Sequence, residues 1–169
     1  VSGNWDNDGT FIPNSSTVNF NGTLPQMIEG TITSTFHNLT NSNVLSTITA
    51  AIGVTVNNIL NISNSSSMLD MSTFVLTGGG TFSNSGSGQI LTANSSVAPI
   101  PAGKAWTCSV IYDNAVGGQT IVGGTYNGTP SLELKNSSGT QTASGNIVAG
   151  NKLTIEAAGT TVFNMNGFN

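Results

Sequence analysis

The sequence has few charged residues, no arginine, one histidine and one cysteine. Charged residues make up 6% of its 169 positions, and the three cations are all lysines. Nucleic-acid binding depends on clustered lysine and arginine that neutralise phosphates, so the composition argues against a nucleic-acid partner and against anionic membrane surfaces. No apolar run approaches the roughly 20 residues of a membrane-spanning helix, and we expect no membrane insertion.

The single Cys108 excludes an internal disulfide framework, and we expect it to be a buried thiol. With His37 as the only histidine, the chain has too few residues for a zinc site or a Cys-His catalytic pair. No Gly-X-Ser-X-Gly motif accompanies His37, so its predicted place is a turn or a solvent-facing position. These absences predict a protein that is not an enzyme and needs no cofactor.

What the chain does contain is a large share of small polar residues. Its 22 Asn, 21 Ser, 23 Thr and 21 Gly account for 87 of the 169 residues, while 37% of the chain is hydrophobic. Disordered chains combine high net charge with few hydrophobic residues, and this composition does not match them. Thr, Val, Ile and Phe favour strands, and Gly, Asn and Ser favour turns, so the composition predicts many short strands.

The apolar residues alternate with polar ones over short stretches. In "STVNFNG", Val18 and Phe20 fall on one face, and the same period of two recurs in "GVTVNNILNIS", "SLELKN", "NKLTIEA" and "TVFNMNGF". Turn-forming clusters such as "NSSS" and "NSSGTQTASGN" separate these stretches. Residues 44–59 have some helical character, but their Thr and Val content and Gly53 favour strand.

The sequence also matches itself at an offset of about 90 to 94 residues. "NILNIS" at 58–63 aligns with "NKLTIE" at 151–156, and "LDMSTF" at 69–74 aligns with "FNMNGF" at 163–168. Internal repetition of short strands and turns is typical of solenoids. We therefore predict a single β-solenoid over residues 1–169, with about 20 to 25 residues per coil and about seven coils, divided into two repeat units of about 1–97 and 98–169.

The predicted fold is all-β, a right-handed parallel β-helix. The alternative is a pair of β-sandwich domains divided near residues 99–103, where "APIPAG" reads as a linker. The chain starts at Val1 with no basic and apolar leader, and the second repeat stops within a unit. These features predict a mature or internal part of a longer polypeptide, or an end that another molecule completes.

The segments "SGNWDNDGTFIPNSSTVNFNGT", "PIPAGKAWTCSVIYDNAVGGQT" and "GQTIVGGTYNGTPSLELKNSSGT" belong to a pattern that extends over most of the chain. This pattern resembles the repeats of large, secreted, adhesin-like surface proteins of Bacteroidota, which are commonly exported by the type IX route. The resemblance implies a β-helical stalk or an adhesive fibre, and it supplies no catalytic residues. The chain departs from the pattern at residues 44–52 and at Pro130.

Two groups of residues are candidates for binding. Trp5, Trp106 and Tyr126 are the candidate contacts for a glycan, although such aromatic residues more often pack in a core. Asp6 and Asp8 in "DNDG" offer hard oxygen ligands for calcium, although Asp-Gly is also an ordinary hairpin turn and no downstream glutamate completes a helical calcium loop.

The function that these features predict is that of a non-enzymatic, extracellular or cell-surface structural or adhesive protein that associates with itself into fibres or forms part of a longer surface protein. The alternatives are a carbohydrate-binding module and a β-helical enzyme acting on polysaccharide, for which two or more acids in one groove would be the sign. Eight Asn-X-Ser/Thr sequons are compatible with a glycoprotein; their asparagines are Asn14, Asn21, Asn38, Asn61, Asn64, Asn94, Asn127 and Asn136.

Overall fold

A computed structural model of the chain describes residues 1–44, 46–79, 81–156 and 161–169. Within these ranges the chain forms nineteen strands and no helix. All described strand pairs are parallel. The prediction of an all-β parallel solenoid is therefore confirmed.

Eight strands form one face of the solenoid, which we call the long sheet. Its strands pair in chain order, and paired residues are 20 to 23 positions apart, as in Leu91 with Ile111 and Trp5 with Ile28. Eight strands correspond to about seven coils, as predicted. In order, the strands are β1 (Trp5–Asp6), β3 (Gln26–Glu29), β5 (Thr47–Ala50), β7 (Met68–Asp70), β10 (Gln89–Thr92), β12 (Ser109–Tyr112), β15 (Leu132–Leu134) and β18 (Leu153–Ile155).

The other strands form the remaining faces. A five-stranded sheet covers the first half of the chain, and two three-stranded sheets cover the second half. The first contains β2 (Thr17–Phe20), β4 (Ser34–Asn41), β6 (Val54–Ile62), β8 (Leu76–Gly78) and β9 (Ser83–Gly86). The others contain β11 (Lys104–Trp106), β14 (Gly124–Tyr126) and β17 (Ile147–Ala149), and β13 (Thr120–Ile121), β16 (Thr140–Ala143) and β19 (Val162–Asn164).

The alternative of two β-sandwich domains is wrong. Strand β10 pairs with β12 in parallel, so the long sheet continues without interruption past residues 99–103, where the domain boundary was expected. This segment is instead part of the solenoid, because Leu76 N donates a hydrogen bond to Pro99 O in the next coil. Residue 45 lies outside the described residues; in the described part of 44–59, the predicted strand character is confirmed in β5 and β6.

Alternation along the strands separates the core from the surface. In β6 the side chains of Val54, Val56, Leu60 and Ile62 are buried, and the residues between them are at least partly exposed. Each coil contributes such residues to one continuous core, which is covered above and below by neighbouring coils. A coil of this kind has no core of its own, so its stability depends on its neighbours.

The structural repeat is the single coil of 20 to 23 residues. Residues 58–63 lie around the end of β6, whereas the matching residues 151–156 contain β18, which belongs to the long sheet. The segments that match at an offset of about 93 residues thus lie on different faces of the solenoid. The division into two units of 1–97 and 98–169 stays a prediction.

Candidate functional site

Five charged residues on the outer side of the long sheet form a group that we call the acidic strip: Asp70, Asp113, Glu133, Lys135 and Glu156. Alternation directs Leu69, Val110 and Leu132 into the core, so the residue after each of them faces outward. The register of the sheet places four outward residues in one row across neighbouring strands, in the order Asp70, Leu91, Ile111 and Glu133. Asp113, Lys135 and Glu156 directly follow β12, β15 and β18.

Lys135 joins two of these acids. Its Nζ lies 2.7 Å from Glu133 Oε2 and 3.9 Å from Glu156 Oε1. The hydrogen bond with Glu133 is the main cause that raises the pKa of Lys135, and the charges of Glu133, Glu156 and Asp113 add to it. Glu133 is 9% exposed, so the lysine compensates an almost buried carboxylate.

Asp113 is an acid of the strip whose pKa the fold raises. Burial is the main cause that raises its pKa, and the nearby charge of Asp70 raises it further, while Lys135 acts in the opposite direction. Glycoside hydrolysis needs an acid with a raised pKa beside a second carboxylate. The strip therefore contains the chemical groups of the enzyme alternative.

A concavity of the described surface lies elsewhere. An open trough of about 560 Å³ runs across three coils at the corner between the two three-stranded sheets, and Lys104 is the only charged residue among its described lining residues. Among its lining residues, Gly123 and Gly145 bring the backbones of two coils into close contact. None of the acids of the strip lines the trough. The sign expected of an enzyme, two or more acids in one groove, is therefore not found in this trough.

The predicted glycan contacts lie mostly in the core. Trp106 and Tyr126 are both 0% exposed, and the Tyr126 hydroxyl donates to Val122 O at 2.6 Å. A buried ring cannot stack on a sugar, so the prediction was wrong for these two residues. The reason is their strand position, because β11 and β14 pair in register and Trp106 and Tyr126 both point inward.

Trp5, the third candidate, is only partly buried, but its ring is already occupied. It packs edge-on against Phe11 with ring centroids 4.8 Å apart and against Phe36 at 5.3 Å, and its indole N–H donates to Ser34 Oγ at 3.0 Å. This cluster covers the first coil of the core. No described Trp or Tyr is therefore fully exposed for sugar stacking.

The carboxylate of Asp8 bridges two coils. Its Oδ1 accepts hydrogen bonds from Thr31 N at 2.9 Å and from Thr31 Oγ1 at 3.0 Å. Both Asp8 and Asp6 are exposed. Among the described residues, no three His, Cys, Asp or Glu side chains are grouped in a way that could hold a metal ion. The calcium site at Asp6 and Asp8 stays a prediction.

His37 and Cys108 are both at least partly buried, and His37 lies within a strand and not in the turn that was one of its two predicted places. His37 lies in β4 between Phe36 and Asn38, where the register with β6 shifts, and it is partly buried. Cys108 is fully buried, as expected, and burial raises the pKa of its thiol to about 12. A thiol with so high a pKa is almost entirely protonated at neutral pH and is therefore a poor nucleophile.

The eight sequons differ in accessibility. Asn14, Asn21 and Asn127 are exposed, whereas Asn136 is fully buried. The amide nitrogen of Asn136 donates to Gln119 Oε1 and Asn114 O inside the solenoid. A glycan on Asn136 is incompatible with this fold, so only part of the sequon pattern is relevant to a glycoprotein.

Sequence reasoning missed a buried polar motif that occurs twice. Gln26 Oε1 accepts from Gly22 N and Asn43 Nδ2, and Gln119 Oε1 accepts from Asn114 N and Asn136 Nδ2. In each case the glutamine Nε2 donates to two backbone carbonyls of the preceding coil. Both the glutamines and the asparagines of the two motifs are 93 residues apart, so the offset of the self-match could have identified them.

Among the described residues, there is no helix of the length and apolar character that would cross a membrane. Comparisons of the chain with models of known protein families, with curated proteins and with solved structures found no match.

Proposed function

We propose that this chain is a non-enzymatic structural module, a solenoid segment of an extracellular surface stalk or matrix fibre. The observation that supports this role is the long sheet, in which eight parallel strands follow one another in register at 20 to 23 residues per coil. Neighbouring strands in a sheet are about 4.8 Å apart, so seven such steps give a rod of about 34 Å. A solenoid of this kind is suited to spanning distance because each added coil lengthens it at constant width.

The outer surface of the first half also fits a structural role. Thr35, Thr55 and Thr77 pair in register on the outer face of β4, β6 and β8. On the neighbouring part of this sheet, Asn38 Nδ2 donates to Thr17 Oγ1 and Asn58 Nδ2 donates to Asn38 Oδ1. Such cross-strand bonds between uncharged side chains stabilise the coil stack and do not create the net charge that keeps copies apart.

The rival functions have less support. Trp106 and Tyr126 are buried, which removes two of the three predicted glycan contacts. The acid pair Asp70 and Asp113 lies on the long sheet, and neither residue lines the trough. A hydrolase needs its acids inside the concavity that holds the substrate, which is why we favour the structural role.

Immunogold labelling with an antibody against this chain, viewed by electron microscopy on the surface material of the producing cells, tests the proposal. We expect gold particles along thin filaments or stalks. Label found only on unattached, non-fibrous material would contradict a structural role.

A second assay addresses the enzyme alternative directly. The purified chain is incubated with a panel of polysaccharides and the release of reducing ends is measured, with the Asp113→Asn variant as the matched control. We expect no release by either protein. Release by the wild type that the variant lacks would move the assignment to a polysaccharide hydrolase.

A further inference from the structure

We propose that the trough beside Lys104 is a binding site for an acidic polysaccharide, an extended chain of mostly neutral sugars in which some sugars carry a carboxylate. This site goes beyond the proposed structural role and does not depend on it. A stalk or fibre segment with such a site would hold the polysaccharide along its side.

The trough continues into a second hollow. This hollow has a volume of about 390 Å³ and begins at β8, and Ala102 and Lys104 line both concavities. Together they form what we call the long groove, which crosses four successive coils, with its lining residues in 75–78, 98–105, 123–125 and 144–148. Neighbouring coils are about 4.8 Å apart, so the groove is about 14 Å long. Its length and its direction along the solenoid fit a polymer.

Each of the four coils places a polar side chain in the long groove. These side chains are Thr77, Lys104, Thr125 and Asn146. Their coils follow one another at about 4.8 Å, which is close to the length of one sugar ring in an extended polysaccharide. Hydroxyl, ammonium and amide groups form hydrogen bonds with sugar hydroxyls, and the exposed methyl group of Ala105 offers apolar surface to a sugar ring. The groove therefore offers polar contacts at the repeat of a sugar chain.

The backbone of the trough is already paired, which argues against an extended peptide as the ligand. Gly103 N donates to Gly123 O at 2.7 Å, and Gly124 N donates to Asn146 O at 2.9 Å, in each case between two coils. A peptide that binds as an additional strand needs a free strand edge, whereas this groove crosses the strands. The ligand must bind mainly through side chains, which suits a polymer with hydroxyl groups along its whole length.

Lys104 is the reason for expecting an acidic ligand. Lys135 pairs with Glu133 and Glu156, but among the described residues no carboxylate forms an ion pair with Lys104. The Nζ of Lys104 lies 5.8 Å from the centre of the Phe82 ring, which is itself 5% exposed. The buried ring supports the ammonium group by a cation–π contact and leaves it able to pair with a carboxylate in the groove.

The charge of the chain limits how acidic this ligand can be. The net charge is -4 at pH 7, and Lys104 is the one cation among the described lining residues of the long groove. A polymer with a sulfate or phosphate group on every sugar would gain one ion pair and be repelled by the negative charge of the protein. A polysaccharide with neutral sugars between its carboxylates matches the groove better.

Isothermal titration calorimetry with partly methyl-esterified polygalacturonate tests the site in low-salt buffer at neutral pH, where free carboxylates are ionised. The fully esterified polymer is the matched ligand control, because it has the same sugar chain without free carboxylates. We expect the wild type to bind the partly esterified polymer and to bind the fully esterified one at least about tenfold more weakly. Polyglutamate, an acidic peptide, is expected not to bind.

Two pairs of variants locate the binding. Lys104→Gln removes the charge from the groove, and Lys152→Gln removes the same charge at an exposed lysine that does not line it. Ala105→Gln keeps the charge and fills part of the trough, whereas Ala115→Gln adds the same side chain at an exposed alanine elsewhere. We expect Lys104→Gln and Ala105→Gln each to weaken binding at least about tenfold and both controls to bind like the wild type. Circular dichroism checks that each variant folds.

A wild type that does not bind the partly esterified polymer overturns the proposal. Equal weakening by Lys104→Gln and Lys152→Gln would also contradict it, because binding would then follow net charge and not the groove. Binding of polyglutamate that Ala105→Gln weakens would make this a peptide site instead. None of these results bears on the structural role, which immunogold labelling of filaments decides separately.

Discussion

Gln119 and Asn136, which belong to consecutive coils, are joined inside the solenoid by a hydrogen bond of 2.8 Å from Asn136 Nδ2 to Gln119 Oε1. The other end of the Gln119 amide donates to Thr92 O and Asn94 O in the coil before, both at 2.9 Å. One buried side chain therefore connects three coils. In a core made largely of apolar residues, it fixes the corner at which the chain leaves the long sheet.

We expect Gln119→Met to destabilise the fold by at least about 2 kcal/mol, because it leaves buried donors and acceptors without partners. Methionine has a similar volume, so packing changes little. The matched control is Gln141→Met. Thr120 pairs with Thr142 across two coils, so Gln119 and Gln141, which directly precede them, occupy equivalent positions. Gln141 is also fully buried, but its amide has no hydrogen-bond partner among the described residues.

Removing the Gln141 amide therefore loses no hydrogen bond, and we expect Gln141→Met to be neutral or stabilising. Urea unfolding of both variants measures the two free energies. Equal destabilisation by the two substitutions would show that the hydrogen bonds of Gln119 do not determine its contribution.

The hydroxyl of Tyr126 supports the second prediction. It donates to Val122 O, while Val122 N donates to the hydroxyl of Tyr112 at 3.2 Å, so the two tyrosines satisfy both backbone groups of one buried residue. Tyr126→Phe leaves the carbonyl of Val122 buried without this donor, and we expect a loss of about 1–3 kcal/mol in unfolding free energy. Near-UV circular dichroism checks that the aromatic packing is retained. A loss below about 0.5 kcal/mol would mean that another donor replaces the hydroxyl.

The sequence predicted the strands well because alternation is a local signal. The stretches "STVNFNG", "GVTVNNILNIS" and "SLELKN" contain β2, β6 and β15. In a solenoid the residues that alternate inward within one coil are covered by the next, so the pattern of a single strand is enough to indicate its buried face. Which residues meet across coils depends on the register, and the sequence alone did not give the register.

The acidic strip shows this limit. Asp113, Lys135 and Glu156 are spaced by 22 and 21 residues, which is one coil each, but the repeat found in the sequence was about 93 residues. That offset is not a whole number of coils, so it did not align these charges. The aromatic residues were misplaced for a related reason, because composition cannot tell which face of a short strand is covered.

Asp113 supports a prediction about pH. Its pKa is raised in the folded state, mainly by burial, so its charged form is less favourable there than in the unfolded chain. Well above the folded-state pKa of Asp113 both states are ionised, and the folded state has the full penalty. As the pH falls through the folded-state pKa, the folded state takes up the proton first, and the penalty vanishes below the ordinary pKa of 3.8.

We therefore expect Asp113→Asn to raise Tm slightly at pH 7 and to leave it unchanged below about pH 3.8. The effect is small because Asp113 is only partly buried, so solvent screens its charge. NMR titration of the carboxyl groups provides the check. In Asp70→Asn the pKa of Asp113 should fall, because the charge of Asp70 no longer raises it. A Tm difference that grows as the pH is lowered would contradict this account.

Gly117 and Gly118 allow the cost of a positive φ to be measured separately from the cost of a clash between coils. Both have positive φ, 74° and 75°, so alanine at either position costs about 1–2 kcal/mol for the left-handed backbone. A Cβ on Gly118 meets nothing within 4 Å, whereas one on Gly117 would overlap the carbonyl oxygen of Ser138 in the next coil. Gly117→Ala must in addition push two coils apart, so we expect it to destabilise the protein clearly more than Gly118→Ala.

Chemical unfolding of the two alanine variants measures this difference, and Gly118→Asn is the control, because asparagine tolerates positive φ better than alanine and should cost less. If Gly117→Ala and Gly118→Ala lose equal stability, the coils at this corner are not in the close contact described here. If only Gly117→Ala is severely destabilised, then the spacing between coils, and not the turn itself, is what requires glycine at this corner of the solenoid.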